Sequence, residues 1–307
     1  MTTVIPETPS RPLSGGLGWN FHRCFSRGQQ LGNIRGDFER DGFVCLSSVF
    51  APELVENLLA ASSINFQECF RVLCQKGHTR FPRYSRRREG RYEYALGHGV
   101  KGGFKEVVMR SPGRFEVPYG CDKAPFSDNS VKNNDRVLAV VRELLSDPNG
   151  GATENGDNFY LCNASVVVAT PGSTVQGWHA DGGHINIDKH DSCHCLNVFI
   201  PLVDVSLSLG PTELRPGSHF LTRRLVPMLL AAKARRTLRK TATPLLQAGD
   251  ALIFDYRLLH RGLPNTDEEM HRPIFVLTFA KKGFKDRLNF PKKSIEDGSN
   301  GKVEEEL

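Results

Sequence analysis

His179 and Asp181 stand two apart in the stretch GWHADGG, residues 177–183, among three glycines and a tryptophan. In a strand, residues i and i+2 share a face. The pair therefore either decorates a sheet or supplies two of the three ligands of a metal site. A third ligand would have to come from another strand opening on the same mouth, and His260 in GDALIFDYRLLHRGLPN is the candidate. Two histidines and one carboxylate on a rigid sheet form the facial triad of non-haem iron(II) enzymes, which leaves three positions for a chelating cosubstrate and O2. A His-x-Asp pair by itself is weak evidence, because such pairs arise by chance in many sheets.

Arg272, twelve positions after His260, opens the apolar run RPIFVLTFA. A hairpin between 256–260 and 272–279 would bring its guanidinium back to the same mouth. Arginine grips a planar carboxylate through two parallel hydrogen bonds, which lysine does less well. A buried Arg272 would suit the far carboxylate of 2-oxoglutarate; the other reading is a surface arginine beside His271. In CLNVFIPLV, Leu196, Val198, Ile200 and Leu202 share one face, which leaves Asn197 on the other with Phe199. Asn197 is a candidate cosubstrate contact or a satisfied structural amide. His219 and Glu213 read as loop anchors. HDSCHC, residues 190–195, crowds two histidines and two cysteines together but lacks the separated pairs that zinc sites use.

The elements that must position these residues fall into two halves. In DFERDGFVCLSSVFAPELVENLLAAS a short helix, a strand and a longer helix follow one another. Pro52 suits the first turn of that longer helix, and Leu54, Val55, Leu58, Leu59, Phe66, Phe70 and Leu73 keep the 3.6-residue period. A second helix is expected over 131–146, with Val137, Leu138, Val141, Leu144 and Leu145 on one stripe. From about 158 the texture changes to short β-rich runs separated by turn residues, with one helical insertion at 221–240. No G-x-G-x-x-G follows a strand, so a dinucleotide fold is not supported. The expected class is mainly β with flanking helices (α+β), a sandwich of jelly-roll type. Its helices lie mainly in 36–150 and its β core at about 158–280. Residues 1–35 read as a flexible arm and 286–307 as a polar, disordered tail.

The 307 residues carry a net charge of +6, unevenly placed. RFPRYSRRREGR, residues 80–91, holds six arginines against one acid, and 221–240 holds seven basic residues and no acid. The second segment is either a grip on an anionic substrate, such as a CoA thioester or another acid, or a solvated lid. No RNA-binding motif or aromatic stacking signature accompanies the basic stretches, which argues against nucleic acid. No run of about 18 apolar residues suggests a membrane helix, and no membrane partner is expected. Eight scattered cysteines and no secretory signal point to thiols in a reducing, cytoplasmic setting.

DFERDGFVCLSSVFAPELVENLLAA, GWHADGG, GPTELRPGSHF, GDALIFDYRLLHRGLPN and RPIFVLTFA follow one another in the order found in the phytanoyl-CoA dioxygenase (PhyH) family, which this chain resembles over roughly 36–280. The resemblance implies a double-stranded β-helix (cupin-like jelly roll) as a single domain at 36–285. It also implies Fe(II), with 2-oxoglutarate and O2 as cosubstrates, and oxidation of a small molecule with release of succinate and CO2. By position, His179, Asp181 and His260 match the iron ligands and Arg272 the 2-oxoglutarate arginine. Asp181 favours hydroxylation over halogenation, because related halogenases carry a small residue there. Two rivals remain: a non-catalytic jelly-roll binding module, and a hydroxylase of macromolecules that uses its arginine patches.

Overall fold

The structure, a computed structural model, describes residues 24–25, 34–76, 100–119, 123–146, 157–285 and 290–297. The arginine-rich stretch 80–91 and nearly all of the arm 1–35 lie outside the described residues.

Ten strands run in chain order: β1 (Cys24–Phe25), β2 (Phe43–Leu46), β3 (Val108–Ser111), β4 (Arg114–Pro118), β5 (Phe159–Ala169), β6 (Cys195–Pro201), β7 (Thr212–Leu214), β8 (Ala251–Asp255), β9 (His260–Gly262) and β10 (Arg272–Lys281). Eight of them form a large sheet in the order β1-β2-β8-β6-β10-β5-β4-β3, antiparallel except for β1 against β2. The second sheet is the pair β7-β9, widened by a bridge from His179 to His260 on one side and from Leu214 to Ala242 on the other. This is the jelly roll expected, with β1 and β2 added at one edge of the large sheet and β4 and β3 at the other.

Period-2 alternation divides the large sheet into two faces. Phe275, Leu277 and Phe279 of β10, with Leu196, Val198 and Ile200 of β6, face outward. They pack with α1 (Ile34–Asp41), α2 (Pro52–Gln75) and α4 (Asp135–Leu145) into the main core. The other face of β10 presents Arg272, Ile274, Val276 and Thr278 to an interior cavity. Between the two sheets, beside that cavity, Phe43, Leu214, Leu252, Phe254 and Leu258 form a second core. The site therefore sits on a floor whose reverse side is packed by helices, which limits its freedom to deform.

Two helices and the tail differ from expectation. The helix predicted over 131–146 is two, α3 (Asn129–Lys132) and α4, because Asn134 breaks off to cap the second by accepting from the amides of Arg136 and Val137. The predicted insertion helix at 221–240 shrinks to a 3-10 turn at Thr222–Arg224 followed by α5 (Leu225–Ala234). Pro227 sits in the first turn of α5, where a missing amide proton costs little, and Arg236, at φ 55°, ends the helical path. In the predicted tail, residues 290–297 return to the body. Ile295 is 3% exposed among Leu73, Phe104 and Phe115, and Glu106 accepts from its amide and from the Ser294 hydroxyl. Residues 290–297 are thus ordered: a bond from Lys105 N to Lys293 O and the contact of Arg110 with the Phe290 ring anchor them alongside Ile295.

Candidate metal centre and the cavity behind it

His179, Asp181 and His260 converge, their ligand atoms all within 4.8 Å of one another. The Asp181 carboxylate lies 3.8 Å from His179 Nε2 and 3.6 Å from His260 Nε2. The convergence is made by backbone: the amide of His179 donates to His260 O, and that of His260 to His179 O. Each ring is held the same way, with Nδ1 against a carbonyl two residues earlier, Gly177 O at 2.9 Å and Leu258 O at 3.0 Å. A carbonyl only accepts, so Nδ1 is the donor in both rings, which leaves Nε2 as the atom available to a metal. Burial pushes His260 down to about 4, so its ring is neutral at physiological pH. These three side chains fit a divalent iron with one face covered. Among the described residues no other set of His, Cys, Asp or Glu converges in this way, and HDSCHC builds no such cluster.

Asn197 lines the cavity, and both ends of its amide have partners within the chain. Its Nδ2 donates to Asp181 Oδ2 at 2.6 Å, while its Oδ1 accepts from the Thr278 hydroxyl at 2.6 Å. The amide thereby restrains the rotation of the Asp181 carboxylate. Gly182 is the glycine of GWHADGG that space demands, because a Cβ there would lie 2.3 Å from the Tyr256 ring. Asp181 and Gly182 both donate their amides to Tyr256 O. Trp178 lies between the guanidiniums of Arg215 and Arg261, each 4.6 Å from the ring centroid, and Arg261 also donates to Glu213. This stack pins the segment that carries His179, and Glu213 is the anchor it was read to be. His219 is buried and its Nε2 lies 3.1 Å from Glu39 O, likewise structural.

The triad opens on a cavity of about 600 Å3. Its far end holds Arg272, 2% exposed, whose Nη1 donates to Gly210 O while its Nε has no partner. Beside it stands a residue the sequence reading passed over. Arg114 of β4 and Arg272 of β10 both pair with Ala169 of β5, one from each side. The small alanine leaves room between two guanidiniums on one face. Gly262 leaves more, since a Cβ there would lie 2.5 Å from Arg114 Cζ. Arg114 is 1% exposed and donates to Ser111, Thr174 O and Leu263 O; its Nε is also without a partner. Burial pushes Arg114 down to about 10, and burial together with Arg114's charge holds Arg272 well below its ordinary value. Neither arginine has a carboxylate partner among the described residues. The signal for Arg114 was in VMRSPGRFEVP, two β-rich runs about a Ser-Pro-Gly turn.

Comparison with known proteins agrees with this architecture. A dioxygenase, hkm4 of Aspergillus hancockii, is 27% identical over 130 residues, which is 38% of this chain and 37% of that protein. The match thus spans little more than a third of that relative. AviO1 from Streptomyces viridochromogenes Tue57 superposes with a TM-score of 0.53 at 20% identity, covering 84% of this chain and 97% of its own. The non-heme alpha ketoglutarate dependent epimerase SnoN from nogalamycin biosynthesis gives 0.52 at 17% identity, with 86% and 96% covered. At such identities these structures speak for the fold. The profile of the phytanoyl-CoA dioxygenase (PhyH) family matches residues 38–272, more than half of the sequence, and the chain belongs to that family.

Proposed function

We propose that the chain is a non-haem Fe(II)- and 2-oxoglutarate-dependent dioxygenase that hydroxylates, or otherwise oxidises, a small organic molecule with release of succinate and CO2. One observation carries the reading: a His-Asp-His set whose two Nε2 atoms lie within 4 Å of the carboxylate opens on the same cavity as two buried arginines that have no carboxylate partner among the described residues. His179, Asp181 and His260 would hold the iron. Arg272, with Arg114 beside it, would hold the carboxylate of 2-oxoglutarate remote from the metal. When bound, iron with 2-oxoglutarate and O2 supplies the oxidising power for attack on an unactivated carbon.

The chain's own contribution is position and dryness. Asn197 and Thr278 hold Asp181 in one rotation. Val167, Phe199, Ile274 and Val276 wall the cavity with apolar surface, which excludes water and strengthens each charge inside. The test is an anaerobic titration of the apo-protein with Fe(II) and 2-oxoglutarate, watching for the visible charge-transfer band of the chelate. The band should appear in the wild type, vanish in His179→Ala and need more 2-oxoglutarate in Arg272→Ala. No band, in a protein that retains no iron, would leave a jelly-roll binding module.

A further inference from the structure

Half of the large apolar side chains exposed among the described residues lie in two touching segments. These are Ile185 (69%) and Ile187 in the loop leaving Asp181, and Phe220, Leu225, Val226 (67%) and Leu230 in and before α5. The segments are joined by Arg223 donating to Asp188 O, by the Arg224–Asp188 pair and by the His190–Phe220 ring contact. None of the six residues lines the cavity. Of α5 only Ala232 is buried, and Val226, Leu230 and Ala234, spaced by four, form an exposed apolar spine. Contiguous patches of this kind mark interaction sites rather than ordinary surface.

What surrounds the patch selects its occupant. Lys233, Arg235, Arg236 and Lys240 are all exposed at or beyond the C-terminal end of α5, 221–240 contains no acid, and the acids beside the 185–187 loop are already paired, Asp188 with Arg224 and Asp191 with Lys189. A second copy of the chain docked face to face would oppose like charges across the contact. A nucleic acid would use the cations but leave the apolar spine in water. A bilayer with anionic headgroups accepts both, the spine among the upper acyl chains and the cations at the phosphates. We infer that α5 and the 185–187 loop form a peripheral docking surface for an anionic lipid bilayer. No described helix is long and apolar enough to cross a membrane, so the contact is one of lying on the surface. It places the segment that leaves Asp181 against the lipid.

Flotation of the iron-loaded full chain with phosphatidylcholine vesicles, with and without phosphatidylserine, tests this. Expected is binding that needs phosphatidylserine and weakens with salt. It should fall about tenfold or more in Arg235→Glu/Arg236→Glu, each basic residue near an anionic surface being worth about fivefold, and vanish in Val226→Asp/Leu230→Asp. The chelate band of both variants should match the wild type, which shows that they fold. No flotation in the wild type, or equal flotation with phosphatidylcholine alone, overturns the inference. So does a vesicle-free dimer that Val226→Asp/Leu230→Asp dissociates, which would assign the face to a second copy. Salt-sensitive binding to nucleic acid that survives Val226→Asp/Leu230→Asp, without flotation, would also overturn it.

Discussion

Arg257 and Arg272 are equally buried, at 1% and 2% exposure, and the chain treats their charges in opposite ways. Arg257 meets Asp255 through two parallel hydrogen bonds, Nε to Oδ1 at 2.8 Å and Nη2 to Oδ2 at 2.6 Å, and donates a third to Asp191 O. Burial alone would raise the Asp255 carboxyl; the bonds and charge of Arg257 overcome this and hold it below its ordinary value. Arg272 has one carbonyl, an unpartnered Nε and a second arginine for company. A buried charge without a partner is costly. Where the carboxylate is in the chain, the arginine is structure; where it is missing, the role proposed for the arginine is to hold a ligand that brings one.

The largest effect expected from breaking this contrast is on the paired side. Arg257→Met leaves Asp255 buried without its partner and should lower unfolding stability by about 3–5 kcal/mol. Urea unfolding of the cosubstrate-free protein measures it. A loss under about 1 kcal/mol would mean that the pair is not the structural element described.

Arg272→Met should do the reverse. Removing an uncompensated charge should leave the cosubstrate-free protein as stable as the wild type or more so. Affinity for 2-oxoglutarate should fall about a hundredfold, consistent with the 2–5 kcal/mol typical of truncating a buried charge partner. Calorimetry with 2-oxoglutarate and urea unfolding without it give the two numbers. A stability loss like that of Arg257→Met, with unchanged 2-oxoglutarate affinity, would erase the distinction between the two sites.

The two halves of the site differ in how far the sequence alone discloses them. The metal side was legible because its ligands sit in short local patterns: a two-residue spacing for His179 and Asp181, and a strand followed by a turn for His260. The arginine side was legible only through Arg272, whose strand is a long apolar run. Arg114 lies 158 positions away and reaches Arg272 through a register, Ala169 between them, that no local pattern encodes. The role of Asn197 was left open for a related reason. Alternation placed it on the inner face, but only the structure shows that its amide is shared between Asp181 and Thr278. The buried Ile295 was hidden because a single apolar residue has no period.

Asn197→Ala separates orientation from ligation. The three ligands remain, but Asp181 loses the amide that fixes its rotation. Iron affinity should fall about 10- to 100-fold, the usual cost of removing a partner of a ligand, with 2-oxoglutarate affinity of the iron-loaded protein changed less. Competition with a chelator measures the first. If 2-oxoglutarate affinity instead falls as far as in Arg272→Met, Asn197 contacts the cosubstrate after all.

The smallest effect is a pH slope that belongs to one side of the contrast. His190 and His194 lie near the Asp255–Arg257 pair, each pushed down to about 4, first by burial and then by the charge of Arg257. In the unfolded chain they bind protons near 6.5, which the folded protein refuses until about 4. The stability they contribute is therefore complete above 6.5 and drains away as pH falls towards 4. Asp255, held below its ordinary value of 3.8, enters only beneath that window. Arg272 and Arg114 exchange no protons there. Urea midpoints followed from pH 6.5 to 4 should thus fall in the wild type and in Arg272→Met with the same slope. In Arg257→Met the slope should be shallower, because the strongest charge depressing these histidines is gone and burial alone then raises the Asp255 carboxyl into the window with the opposite sign. Equal slopes in all three would detach the histidines from the ion pair.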